Sequence, residues 1–127
     1  YPQHLADVLS MTDWVGLDIK APWDKYELLT GRKGMERPVQ DSLKILIESR
    51  KDFECRTTCD PRYLTKEDIL KIARDLSEQG VQNYVLQHYR TFEGDTNPPD
   101  ESDINSFFTD KEFLDELKSL FPNFGIR

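Results

Sequence analysis

Apolar residues recur along this chain in two periods, and the periods alternate. Between Trp14 and Ile19, Val15, Leu17 and Ile19 point one way while Gly16, Asp18 and Lys20 point the other. That two-residue period predicts a strand. Ala21-Pro22 stops it, because proline has no amide to give to a ladder. From Val39 to Arg50 the apolar positions Val39, Leu43, Leu46 and Ile47 have helical spacing. The strand period returns over Phe53 to Cys59, and a helical stripe of Ile69, Ile72, Ala73 and Leu76 follows. Thr65 and the acidic Glu67-Asp68 open that helix, and Gly80 ends it. Asn83 to His88 predicts a third strand. Tyr89 to Phe108 predicts a long polar loop, of the length that is functional or disordered in compact domains. A capping box at Thr109 opens a helix from Lys111 to Phe121, and Asn123 to Arg127 predicts a last short strand. Ahead of all these, His4 to Met11 is weakly helical. Trp23 to Arg37 predicts an irregular cationic loop with one helical turn at Asp24 to Leu29.

Strands separated by helices at intervals of about 30 to 40 residues predict parallel βα units. The strand faces then choose between an open sheet and an arc of a barrel. On the second strand Phe53, Cys55, Thr57 and Cys59 oppose Glu54, Arg56 and Thr58; on the third, Tyr84, Leu86 and His88 oppose Val85, Gln87 and Tyr89. Each strand therefore has one mostly apolar face and one with polar groups near its end. Helices on both sides of a sheet would bury those polar groups, at a cost of several kcal/mol for any left unpaired. A barrel would let them line a wettable interior. The expected fold is α/β, a partial barrel of parallel strands with helices outside. Three or four strands cannot close a barrel, which takes about eight. The chain also starts at Tyr1 without an initiator methionine, partway into a helical pattern. Residues 1–127 are expected to be one domain that forms part of a larger barrel, and its cut edges are expected to make it self-associate.

Composition narrows the function classes. The 127 residues carry a formal net charge of −7, which argues against nucleic acid as a partner. No run of about 18 apolar residues suits a membrane span. Two cysteines are too few for a disulfide framework, and a reducing, cytoplasmic location is the expectation.

Asp18, Lys20, Glu54 and Arg56 form a mixed-charge set on neighbouring strands. They read either as a structural ion-pair network or as a site for a zwitterionic or anionic small molecule. Cys55 and Cys59 would lie on one strand face about 13 Å apart, too far for a disulfide or for sharing a metal, so both read as structural. His88, flanked by Gln87 and Arg90, reads equally as core or as site. Thr30-Gly31-Arg32-Lys33-Gly34 resembles a phosphate-cradling loop without its full spacing, and reads equally as a basic lid that meets an acidic partner or ligand.

Four segments in order carry a family resemblance: Asp18-Ile19-Lys20-Ala21-Pro22, Lys25-Tyr26-Glu27-Leu28-Leu29-Thr30-Gly31, Glu54-Cys55-Arg56-Thr57-Thr58, and Tyr84-Val85-Leu86-Gln87-His88-Tyr89-Arg90. They resemble the radical S-adenosylmethionine (SAM) activating enzymes, above all the anaerobic ribonucleoside-triphosphate reductase activating group, with pyruvate formate-lyase activating enzymes as near relatives. The resemblance implies a radical SAM partial (β/α)6 barrel, of which this chain is the C-terminal half. It implies a [4Fe-4S] cluster held by a C-x3-C-x2-C motif, with SAM chelated by one iron. Reductive cleavage of SAM there yields a 5′-deoxyadenosyl radical that takes hydrogen from a glycine of the partner enzyme. Flavodoxin or ferredoxin is the implied electron donor, and a glycyl radical enzyme such as anaerobic ribonucleoside-triphosphate reductase the implied partner. By position, Asp18, Lys20, Arg56, Thr58, Gln87 and His88 match the family's cofactor-binding strand ends. The cluster motif and the glycine-rich early strand of the family are absent from this sequence, so these residues alone are expected to be inactive. Two other readings stay open: a radical SAM enzyme acting on a small molecule, and a non-catalytic α/β module that binds a protein through its loops.

Overall fold

The computed structural model describes residues 15–27, 33–50 and 52–127. Four strands, β1 (Val15–Asp18), β2 (Phe53–Cys59), β3 (Asn83–His88) and β4 (Asn123–Ile126), form one parallel sheet in the order β1-β2-β3-β4. Four helices connect them: α1 (Glu36–Ser49), α2 (Lys66–Glu78), α3 (Glu101–Thr109) and α4 (Lys111–Leu120). This α/β arrangement matches the periodicity. Strand order equal to chain order, with right-handed crossovers, carries every connecting helix to the same side.

The register confirms that one-sided plan. Leu17 pairs with Cys55, Cys55 with Tyr84, and Tyr84 with Phe124. These positions share a face, and that face meets the helices. Cys55, Cys59, Tyr84 and Leu86 pack with Leu43 and Leu46 of α1, Ile69, Ala73 and Leu76 of α2, and Leu117 of α4 in one core. Thr57 would interrupt it, but its hydroxyl donates to the Ile19 carbonyl at 2.9 Å and accepts from the Tyr84 hydroxyl at 2.7 Å. A buried polar group satisfied in this way costs little.

Local chemistry explains the helix boundaries. Thr65 Oγ1 accepts from the Asp68 amide at 3.1 Å, and the Asp68 carboxylate accepts from the Thr65 amide at 3.0 Å. Gly80 takes φ of 95° just after α2, a conformation that suits glycine. Several expectations shift. Helix α1 starts at Glu36, ahead of Val39, and ends at Ser49, with Arg50 in the left-handed region at φ 59°. The predicted loop from Tyr89 to Phe108 is a loop only to Asp100, because α3 occupies Glu101–Thr109. Ile104 and Phe107, three residues apart, bury one face of α3, a stripe too short to stand out beside so many polar neighbours. No reciprocal capping box opens α4. Asp110 is its N-cap, accepting from the Phe113 amide at 3.2 Å, while Thr109 ends α3. The turn after β1 begins as a 3-10 turn at Trp23–Lys25. The stretch His4 to Met11, Trp14, and the loop residues Leu28 to Arg32 lie outside the described residues. Among the described residues, no helix is long and apolar enough to cross a membrane.

Candidate functional site at the strand ends

The sheet face turned away from the helices carries the polar positions. Gly16 pairs with Glu54, Asp18 with Arg56, Arg56 with Val85, and Thr58 with Gln87. The mixed-charge set of the sequence is thus assembled on one face. At its centre the Glu54 carboxylate is buried, and it accepts from Arg56 Nε and, at 2.7 and 3.0 Å, from both terminal nitrogens of Arg127. Burial is the largest influence on Glu54 and pushes its pKa up. Hydrogen bonds from Arg127 and Arg56, with the charges of both, outweigh it and leave the carboxyl below its ordinary value. Arg127, from the end of β4, is a partner that strand alternation alone did not identify, because β4 is short and the pairing spans most of the chain.

Further along the same strands a cavity of about 710 Å³ opens at their C-terminal ends, the usual ligand position of parallel α/β sheets. Asp18, Lys20 and Thr58 line it. Gln87 stands beside Thr58, whose hydroxyl donates to Gln87 Oε1 at 3.4 Å. Arg56 stands beside Asp18 across the ladder. Surrounding protein raises the Asp18 pKa by desolvating its carboxyl, even though much of the residue is exposed; Lys20 and Arg56 oppose that rise by charge. Lys20 is fixed at its backbone, where its amide donates to the Tyr26 hydroxyl at 2.9 Å.

His88 stands elsewhere. It continues the face of Tyr84 and Leu86, stacks on Phe108 of α3 at 3.6 Å between ring centres, and sets Nδ1 3.0 Å from the Arg127 carbonyl. The structure therefore brings Asp18, Lys20, Arg56, Thr58 and Gln87 together and leaves His88 behind the sheet.

Strand alternation missed Asp60 and Tyr63, which also line the cavity. They follow β2 in a turn, where the two-residue period no longer says which way a side chain points. Tyr89, which alternation put on the face of Gln87, lines it too. Met35 and Val39 add an apolar wall from the start of α1.

Neither cysteine lines the strand-end cavity. Both are free, both are fully buried on the helix side, and burial pushes both thiols up to about 12. Thiolate is the metal-binding form. Among the described residues, no group of three or more His, Cys, Asp or Glu side chains is placed to hold a metal ion.

No protein-family model matches the chain, and no solved structure matches it. A protein of Methanocaldococcus jannaschii that carries the provisional name glycyl-radical enzyme activating enzyme is 30% identical to it over 95 residues. That alignment takes in 70% of this chain and 39% of the relative, so the chain is similar to well under half of that protein.

Proposed function

We propose that this chain is the C-terminal part of the barrel of a radical SAM activating enzyme for a glycyl radical enzyme, of the anaerobic ribonucleotide reductase type. The observation that carries the reading is the polar sheet face ending in the strand-end cavity, lined by Asp18, Lys20 and Thr58. The likeness to the Methanocaldococcus protein supports the family, and the four matching segments support the reductase type.

The residues suit SAM. The cavity volume is within the range of small-molecule sites. The carboxylate of Asp18 accepts from an ammonium or a ribose hydroxyl. Lys20 faces a carboxylate. The Thr58 hydroxyl and Gln87 amide offer donors and acceptors to a sugar edge, and the charges of Lys20 and Arg56 oppose the desolvation of Asp18. The chain's two cysteines do not suit the cluster, being buried beneath the helices. In this reading the cluster's cysteines come from outside these residues. When bound, the cluster and SAM supply the reductive cleavage that starts hydrogen abstraction from the partner's glycine; this chain binds and orients SAM.

The test is anaerobic reconstitution of the protein containing this chain together with a cluster-binding segment, followed by reductant and SAM. The expected product is 5′-deoxyadenosine, with turnover lost on Asp18→Ala while the cluster absorbance stays. An intact cluster that gives no 5′-deoxyadenosine would overturn the reading.

A further inference from the structure

One side chain joins two loops at the mouth of the cavity, and it belongs to neither the strand pattern nor the ligand set above. Arg62 sits in the turn between β2 and α2. Its Nε and one terminal nitrogen fork onto the Asp60 carboxylate at 3.0 and 2.7 Å. The other terminal nitrogen reaches across the sequence to Asp95 Oδ1 at 3.2 Å and to the Asn97 carbonyl at 2.8 Å. The same guanidinium lies 5.3 Å from the centre of the Tyr63 ring and 4.9 Å from that of Tyr89. The Tyr89 hydroxyl in turn donates to Asp95.

Asp60, Tyr63 and Tyr89 all line the cavity. The residues between Tyr89 and Asp100 have no helix or strand to hold them, so their position depends on side-chain contacts such as these. We propose that Arg62 is a positioning residue of the strand-end site: it clips the 89–100 loop to the β2–α2 turn and thereby holds Tyr63 and Tyr89 as walls of the cavity. The clip itself is independent of the ligand; its effect on binding rests on the SAM reading above.

Arginine suits this task for a specific reason. Its planar fork engages Asp60 with two nitrogens while a third points at the loop, and its flat face covers aromatic rings. Lysine carries the same charge without the fork. Comparing Arg62→Lys with Arg62→Met therefore separates geometry from charge.

The experiment uses the cluster-loaded protein of the preceding test, the two variants, and SAM as the probe. Amide exchange of residues 89–100 and the ring resonances of Tyr63 and Tyr89 are read without ligand, and SAM affinity by equilibrium dialysis. Both variants should exchange the loop about tenfold faster and shift the tyrosine resonances. SAM should bind about tenfold more weakly, with no rescue by lysine. Unchanged exchange in both variants overturns the proposal. So does faster exchange with unchanged SAM affinity, because the loop would then not position the site. If the unaltered protein fails to bind SAM while the variants still loosen the loop and move the tyrosines, the clip stands and the SAM reading falls.

Discussion

The guanidinium of Arg56 occupies the space that a side chain on Gly16 would need. A Cβ built on Gly16 would collide with Arg56 Cζ, Nη2 and Nε. Glycine is required here for room and not for backbone freedom, since Gly16 has no positive φ. The cleared space lets Arg56 lie flat on the sheet and reach Glu54.

That relationship makes a double-mutant test. Gly16→Ala should destabilise the chain by about 1 kcal/mol, because the far end of a flexible side chain can move aside. The same change in an Arg56→Ala background should cost much less, since the obstacle is gone. Urea unfolding of the four proteins measures the coupling. Additive effects would mean that Arg56 does not fill this space in solution.

Glu54 carries the pH dependence of the open face. Its folded pKa is below the ordinary 4.5. Its contribution is therefore complete above pH 4.5 and is lost as pH falls through the lower, folded value. Glu54→Gln leaves Arg56 and Arg127 without their shared carboxylate. It should cost about 2 kcal/mol at pH 7, less than for a fully buried pair because both arginines are partly exposed. Denaturation from pH 7 to pH 3 should show the wild type losing more stability than the variant below pH 4.5.

Asp18 has the opposite sign. Its folded pKa is raised above 3.8, with desolvation the first cause. The folded state therefore holds the proton more tightly, and stability falls as pH rises from 3.8 through the folded value. Asp18→Asn should raise the melting temperature at pH 7 while weakening SAM binding. A variant that melts lower would contradict the desolvation of this carboxyl.

Cys55 and Cys59 should be silent in the native chain. With thiols pushed to about 12 beneath the helices, neither should react with a disulfide reagent at pH 7.5. Both should react once guanidinium unfolds the protein. Rapid native labelling at either position would show an open helix face.

His88→Ala should loosen α3, since the ring stacks on Phe108, and should leave SAM affinity within about twofold. Gln87→Ala, one residue earlier and on the opposite face, should weaken binding. The pair decides which side of β3 the ligand uses.

By itself the sequence determined the parallel βα order and the two characters of each strand, because periods of two and 3.6 are local properties of the backbone. It determined the buried state of Cys55 and Cys59 for the same reason: they share the apolar phase of Phe53. It also marked Asp18, Lys20, Glu54 and Arg56 as one candidate set, which the register pairing Asp18 with Arg56 then assembled on one face. Tertiary structure alone decided what completes that set. The pairing of Arg127 with Glu54 spans 73 residues, and no local rule relates them. It decided that α3 forms within a polar stretch, because Ile104 and Phe107 become buried only once the helix packs, Phe107 beside Phe113 of α4. And it decided that Arg62, in a turn where strand phase has lapsed, reaches over to the 89–100 loop and lies against the tyrosines at the mouth of the strand-end cavity.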